Sequence, residues 1–143
     1  MRRYKEGVYY SRNGKPVTRL FSNVDKDKLI IIGKYCRFYL SLTDLRKADF
    51  EDAQKKAASI GDGWRCPDSF EGRTIGLMHK EIEKAVNKLG VKFPNDIYWF
   101  WTNEYHTSSR YNAWCVDLDG GYVGSYDRVY YYGSVVSVSS FSK

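Results

Sequence analysis

The stretch Asn-Ala-Trp-Cys-Val-Asp-Leu-Asp-Gly-Gly at residues 112–121 decides the fold of the last third of the chain. Residues 113–118 form an apolar-rich run that is typical of a strand, and the Asp-Gly-Gly behind it predicts a tight turn. Further short strands are predicted on either side, at residues 98–102, 122–126, 128–132 and 135–138. The C-terminal part is therefore predicted to be a series of short strands joined by turns.

Capping signals predict two helices upstream of these strands. Asp49 is placed to cap a helix over residues 49–60, with acidic residues in its first turn and lysines later. Asp68, followed by a glutamate three residues later, has the spacing of a capping box. It opens a longer second helix with an interruption near Gly72 or Gly76.

The N-terminal segment is predicted to be β-structure. Asn13-Gly14 lies between two β-rich runs and is a strong signal for a tight hairpin turn. We treat residues 1–35 as an N-terminal β extension and residues 36–143 as the main part of the same domain. The whole pattern predicts one α+β domain, with two helices packed on short, mostly antiparallel strands.

Lysine is missing from the last third of the chain. There is none between residues 93 and 142, whereas residues 1–92 contain twelve. The same stretch holds eight of the thirteen tyrosines and three of the four tryptophans. Recognition surfaces are depleted of lysine, because its hydrated head is costly to bury, and favour Tyr and Trp, which offer a large rigid area. The composition therefore predicts a binding surface.

The positive charge of the chain lies mostly outside this aromatic third. Between residues 93 and 142 the only cations are Arg110 and Arg128, against five acidic residues. Proteins that bind single-stranded nucleic acid interleave aromatic platforms with a cationic groove, so the separation argues against a nucleic-acid partner. The basic cluster Arg2-Arg3-Lys5 is interpreted as a solvated terminus.

No targeting or membrane segment is predicted. The first ten residues lack the apolar stretch of a signal peptide, and the longest aliphatic run, residues 29–32, is far too short to span a bilayer. The chain is therefore expected to be cytoplasmic when made, and a later association with a virion or a cell surface stays open.

Neither a cofactor nor an enzymatic site is predicted. The odd number of cysteines, without Cys-x-x-Cys spacing, favours free thiols, with one disulfide and a spare thiol as the alternative. Cys115 has no basic neighbour to activate it, and His79 and His106 are isolated. Phe-Pro-Asn-Asp at residues 93–96 is only a faint echo of a calcium-binding motif, and Asp117 with Asp119 fits a hairpin turn equally well. We predict no metal.

Three motifs occur in a fixed order, namely Gly-Trp-Arg-Cys-Pro-Asp at residues 63–68, Trp-Thr-Asn-Glu at residues 101–104 and the stretch at residues 112–121. Together they resemble the C-type-lectin-like domains of the Lcl C-terminal class, which occurs in bacterial and phage surface proteins. The likeness covers residues 36–141 and implies a C-type-lectin-like fold. Cys66, Asp68 and Val136 stand where the class usually has Leu, Thr and Arg.

Some lectin-fold proteins of this kind are the variable proteins of diversity-generating retroelements, in which a reverse transcriptase mutates adenines of a C-terminal repeat. Mutated Asn codons then yield Tyr, Ser, Asp, Asn, Gly, His, Arg, Cys and similar residues, but never Lys, Glu, Gln, Trp or Met. Residues 105–111 and 122–132 use this alphabet throughout, and the one Trp between residues 105 and 141, Trp114, falls in a motif expected to be scaffold.

The resemblance implies that these two stretches form one variable, ligand-binding face. The alternative for the tyrosines is that alternate rings belong to a sheet core, since Tyr favours strands. The predicted ligand-binding residues are Tyr105, His106, Ser108, Arg110, Tyr111, Tyr122, Ser125, Tyr126, Asp127, Arg128, Tyr130 and Tyr132.

The sequence thus predicts recognition of a macromolecular ligand, a protein or a glycan on a target cell surface. A diversified surface rich in Tyr, Ser, Asn and Asp would make the contacts, in a phage, virus or microbe. A fixed-specificity adhesin or glycan-binding lectin-like module is the alternative, and an oligomer stays open.

Overall fold

The computed structural model describes residues 4–92, 97–106 and 108–141, which form two five-stranded sheets and three helices. The chain is therefore α+β, as the sequence predicts. The helices are α1 (Phe50–Ala58), α2 (Ser69–Leu77) and α3 (His79–Leu89). The strands are β1 (Gly7–Arg12), β2 (Lys15–Val17), β3 (Lys28–Ile32), β4 (Arg37–Ser41), β5 (Lys47–Ala48), β6 (Trp99–Tyr105), β7 (Asn112–Asp117), β8 (Val123–Asp127), β9 (Gly133–Ser134) and β10 (Val138–Ser140). The predicted basic terminus at Arg2 and Arg3 lies outside the described residues.

The first sheet, in the order β10-β4-β3-β1-β2, joins the two ends of the described chain. Its pairs are all antiparallel, and β3 pairs with β4 from Lys28 opposite Ser41 to Ile32 opposite Arg37. The N-terminal strands are thus continuous by hydrogen bonding with β4 and β10 of the main part. The β1–β2 turn has positive φ at Asn13 (53°) and Gly14 (78°), the geometry of the tight turn that the sequence predicts.

The second sheet, in the order β5-β9-β6-β7-β8, carries the last third of the chain. Its hairpin β7–β8 is closed by the predicted turn, in which Gly120 and Gly121 have φ of 84° and 70°. This turn lies directly against α2, because a Cβ on Gly76 would come within 2.4 Å of the Gly121 Cα. Only glycine permits so close an approach, so α2 fixes one end of the hairpin.

The helix caps are confirmed, whereas the number of helices is not. The Asp49 side chain accepts the Asp52 N–H at 2.9 Å, and Asp68 forms the predicted capping box with Glu71. The predicted second helix is two helices, since the backbone at Met78 (φ −107°, ψ 13°) leaves the helical region between α2 and α3. The interruption, predicted near Gly72 or Gly76, therefore falls two residues after Gly76. In the described part of the chain, none of the helices has the length and apolarity needed to cross a membrane.

Two of the predicted C-terminal strands are wrong. Residues 128–130 form a turn and residues 131 and 132 an irregular stretch. The cause is Asp127, whose Oδ1 accepts the N–H groups of Val129 and Tyr130 at 2.9 and 3.2 Å and so bends the chain out of the ladder. Residues 135–137 are buried but unpaired in the sheets, and a strand begins only at Val138.

The core has two main parts. The larger cluster packs the first sheet against α2 and α3, and it includes Leu29, Ile31, Phe38, Ile75 and Ile82. The smaller one, which we call the α1 cluster, packs α1 against the second sheet. Its buried members are Ala48, Phe50, Ala53, Ala57, Cys66, Trp101, Ala113, Cys115 and Val135. The α1 cluster lies directly beneath the residues predicted to bind a ligand.

Candidate ligand-binding face

Two loops meet at the open end of the β7–β8 hairpin. The β6–β7 loop precedes β7, and the turn at residues 128–132 follows β8. Because Asn112 pairs with Asp127, the two loops start side by side. The Arg128 N–H donates to the Tyr111 carbonyl over 3.0 Å and ties them together. We call the resulting surface the aromatic face, and it comprises Tyr105, His106, Ser108, Arg110, Tyr111, Ser125, Tyr126, Asp127, Arg128, Tyr130, Tyr131 and Tyr132.

The outer tyrosines of the aromatic face are exposed, although the strand beneath them is buried. Tyr111, Tyr130 and Tyr132 show 61%, 82% and 64% of their surface to solvent, while Ala113 and Cys115 of β7 are buried in the α1 cluster. Large apolar rings that are grouped at a surface mark a place where a partner binds more often than a place that serves stability.

Tyr122 is the one predicted site residue that the structure does not bring to this face. It precedes β8 at the closed end of the hairpin, and its ring lies over Gly120. At about 3.4 Å per strand residue, it is about 17 Å from Asp127 at the open end. Tyr122 is exposed, but it belongs to a different edge of the molecule.

Tyr126 and Tyr131 form an aromatic stack that supports the face from below. Their ring centroids are 4.7 Å apart with planes at 28°, and Tyr126 lies 4.6 Å from Trp99, which contacts Trp101 at 4.9 Å. Tyr126 is therefore half-buried and packs against the α1 cluster. Tyr131 is the member of the Tyr130-Tyr131-Tyr132 run whose ring lies on this stack, although 48% of its surface remains exposed.

Glu51 of α1 is a member of the site that the sequence reasoning missed. Its Oε1 accepts the Tyr105 hydroxyl at 3.1 Å and lies 3.4 Å from Nη1 of Arg128. The Arg128 guanidinium also lies over the Tyr105 ring, 4.9 Å from its centroid. The only signal in the sequence was an acidic residue in the first turn of a helix, which is equally well explained by the helix dipole.

A shallow depression of about 630 Å³ opens on the aromatic face next to this ion pair. It is lined by Tyr105, His106, Ser108, Ser109, Arg110 and Arg128. Thr107, between two of these residues, lies outside the described part of the chain. The His106 ring stacks on Trp114 at 4.3 Å, and its Nδ1 accepts the Ser108 N–H at 3.1 Å. Because Nδ1 accepts this bond, the ring proton lies on Nε2.

Residues of the three sequence motifs contribute to the packing of the scaffold. Trp101 is completely buried and donates its indole N–H to the Ala48 carbonyl at 2.9 Å. Arg65 forms a bidentate ion pair with buried Glu71 at 2.6 and 2.9 Å, which raises the pKa of Arg65 despite its partial burial. Val136, which departs from the usual Arg, packs into the larger core cluster. Of the four tryptophans, Trp101 is buried, whereas Trp64, Trp99 and Trp114 are only half-buried.

The cysteines are free thiols of two kinds. Burial raises the pKa of Cys66 and of Cys115 to about 12, so both stay protonated at neutral pH. Cys36 is half-buried instead, and its Sγ lies 3.3 Å from the Thr74 hydroxyl. Together the thiols offer no thiolate nucleophile beneath the aromatic face.

The described residues bring no three His, Cys, Asp or Glu side chains together in a way that could hold a metal ion. Asp117 and Asp119 are exposed at the closed end of the hairpin. The faint calcium motif at residues 93–96 lies outside the described part of the chain.

A second depression, of about 410 Å³, lies on the outer side of α2. Exposed Phe70 and Leu77 of α2 and Tyr35 of the β3–β4 turn line it together with Cys36. None of its lining residues belongs to the aromatic face, so the two surfaces are separate. This depression could not be predicted from the sequence, because Phe70 and Leu77 look like ordinary residues of an amphipathic helix.

When the chain is compared with known proteins, no protein-family model matches it and no curated protein matches it. The likeness to C-type-lectin-like domains therefore rests on the sequence motifs alone. What the structure adds is the geometry of the face, which is independent of that likeness.

Proposed function

We propose that the protein recognises a macromolecular ligand on a target cell surface through the aromatic face, on a scaffold of the C-type-lectin-like kind. One observation carries the proposal. The side chains of the restricted alphabet, such as Tyr111, Tyr130 and Tyr132, are exposed, whereas the motif residues between them, such as Ala113 and Val116, are buried.

The chemistry of the face suits adaptable recognition. Tyr side chains supply a large, rigid contact area with little loss of conformational entropy, and the hydroxyls of Ser108 and Ser109 supply hydrogen bonds that adjust to the ligand. The rings stand on a packed floor that includes Trp101, so little ordering is required on binding. Affinity comes from ring area and hydrogen bonds, with no metal ion in the mechanism.

We further propose that the face is diversified by a retroelement in a phage, virus or microbe. The absence of Lys, Glu, Gln and Met between residues 105 and 141 is what mutation of adenines in Asn codons produces. Selection for binding alone disfavours Lys and Glu, but it does not disfavour Met, which is enriched at many interfaces. The mutational alphabet therefore explains more of the composition than selection does.

The test of diversification is the sequence of the flanking DNA. We expect a second copy of the codons for this region that differs only at adenines, with the differences falling on exposed residues. No such copy, together with an identical protein sequence across strains, would instead indicate a fixed-specificity adhesin or glycan-binding module.

A further inference from the structure

The two cations of the last third of the chain line the same depression. Arg110 and Arg128 are the only Lys or Arg residues between positions 93 and 142, in a stretch that has five acidic residues. The β6–β7 loop supplies Arg110, and the turn after β8 supplies Arg128. The hairpin register that joins the two loops therefore also gathers the scarce positive charge at one place.

The two guanidinium groups differ in how they are held. Arg128 is partly buried, 3.4 Å from the Glu51 carboxylate and over the Tyr105 ring, so its position is fixed and its charge is shared. Arg110 donates to the Tyr111 hydroxyl at 3.1 Å, and no carboxylate of the described residues lies within ion-pair distance of it. The depression thus presents one uncompensated guanidinium beside one that has a single carboxylate partner.

Further hydrogen-bonding groups line the depression beside the two guanidinium groups. The Ser108 and Ser109 hydroxyls lie on the rim, and the His106 Nε2–H remains as a donor because Nδ1 is used by Ser108. Guanidinium groups bind planar or tetrahedral oxyanions with two parallel hydrogen bonds, and hydroxyls bind the polyol part of such a ligand.

We propose that this depression binds the acidic group of a sugar, a carboxylate or a sulfate, so that the ligand of the aromatic face is an acidic glycan. This inference rests on the proposed function and names the class of ligand for the same surface. An acidic sugar is favoured over an acidic protein because Arg110 and Arg128 line one hollow together with two serines, which suits a compact acidic group attached to a polyol. Binding of an acidic peptide is the outcome that the experiment separates from it.

Glu51 provides a further test of the proposal, because its carboxylate competes with an acidic ligand for Arg128. Its carboxylate takes both the Tyr105 hydroxyl and the guanidinium. Replacing it with the neutral isostere in Glu51→Gln removes a negative charge next to the depression and frees part of the Arg128 guanidinium. Acidic sugars should then bind more tightly, which is a gain that simple damage to the fold cannot produce.

The experiment is a calorimetric titration of the full chain with sialyllactose, a sulfated heparin disaccharide, lactose and a hexaglutamate peptide. Lactose is the neutral match of sialyllactose. We expect at least one acidic sugar to bind about 10-fold more tightly than lactose, with Arg110→Gln removing about that factor. Arg110→Lys should keep part of the affinity, and Glu51→Gln should raise it several-fold. Arg37→Gln removes the same charge from an exposed position at the start of β4, and it should leave the affinity unchanged.

The proposal is overturned if neither acidic sugar binds better than lactose, if the peptide binds better than both sugars, or if Arg37→Gln weakens binding as much as Arg110→Gln. The aromatic face is tested separately with Tyr111→Ser and Tyr132→Ser. If these variants bind acidic sugar like the wild type while Arg110→Gln does not, the depression binds the acidic group and the tyrosines take no part in binding. If the tyrosine variants lose binding to the target cell while no acidic sugar binds the wild type, the tyrosines bind the ligand and the proposal for the depression is wrong.

Discussion

The tyrosines of the first sheet and those of the aromatic face are the same residue in two opposite settings. In the first sheet Tyr10 is buried, and the Tyr39 hydroxyl donates to the Gly14 carbonyl at 2.7 Å while its ring packs edge-on against Phe141 at 5.3 Å. In the aromatic face, Tyr130 and Tyr132 expose most of their rings. Tyrosine serves the stability of the fold in one region and is open to a ligand in the other.

The difference shows that strand propensity does not explain the tyrosine content of the last third. Tyr39 lies within a strand and satisfies its ring and hydroxyl locally. Tyr130 and Tyr132 lie in a turn and an irregular stretch, where no sheet neighbour requires an aromatic ring. Their exposure fits the binding surface proposed above.

The largest effect is expected at the floor of the face. Trp101→Ala removes a completely buried indole and its hydrogen bond to the Ala48 carbonyl, and it should lower the free energy of unfolding by about 4 kcal/mol. Urea denaturation measures the change. Trp64→Ala is the matched control, and because that ring is only half-buried its loss should be clearly smaller. Equal losses of unfolding free energy would show that burial does not determine which rings stabilise the fold.

An experiment at high pH tests whether water is excluded from the α1 cluster. The pKa of Cys66 and Cys115 is raised from 9.0 to about 12 by burial. The unfolded thiols ionise first, so their contribution to stability is complete below pH 9 and is lost as the pH rises towards 12. The loss is about 1.4 kcal/mol per pH unit for each thiol.

The control for this experiment is the double variant Cys66→Ala with Cys115→Ala. Other groups titrate alike in both proteins, so the difference in slope of unfolding free energy against pH above 9 isolates the two thiols. Identical slopes would mean that water reaches these thiols, contrary to their burial in the α1 cluster.

A smaller effect is expected at the stack of Tyr126 and Tyr131, which lies between the α1 cluster and the aromatic face. Tyr126→Ala should cost about 2 kcal/mol, because the half-buried ring packs against both Trp99 and Tyr131. Tyr131→Ala should cost about 1 kcal/mol, and the double variant should reveal a coupling of about 1 kcal/mol between the two rings. Strictly additive losses would show that the two rings do not stabilise each other.

The smallest effect is expected at the rim. Tyr130→Ser changes a ring that is almost free of protein contacts, and the free energy of unfolding should change by less than about 0.5 kcal/mol. Thermal and urea unfolding both measure it. A loss comparable to that of Tyr126→Ala would place Tyr130 among the supporting residues.

Local signals in the sequence predicted local structure well. The Asn13-Gly14 turn and the helix caps at Asp49 and Asp68 depend on a few neighbouring residues, so their chemistry is visible in the chain. The strand predicted at residues 128–132 failed for a local reason too. The Asp127 side chain caps the N–H groups that a strand would have used, and this competed with the strand propensity of three tyrosines and Val129.

Features that depend on distant contacts could not be predicted. Glu51 reaches the site from a helix 54 positions before Tyr105, and nothing in its surroundings in sequence points there. The separation of Tyr122 from the face follows from the pairing of Asn112 with Asp127, which fixes the open end of the hairpin. Likewise, the Tyr131 ring lies on Tyr126, which in turn lies against Trp99 of another strand.

The most direct test compares two triple variants that have the same composition. One carries Tyr111, Tyr130 and Tyr132 replaced by Ser, and the other carries Tyr9, Tyr10 and Tyr39 replaced by Ser. We expect the face variant to keep its free energy of unfolding within about 1 kcal/mol of the wild type, whereas the first-sheet variant should lose more than about 4 kcal/mol or fail to fold. A face variant that unfolds as readily as the first-sheet variant would contradict the claim that the aromatic face is a surface held by an independent scaffold.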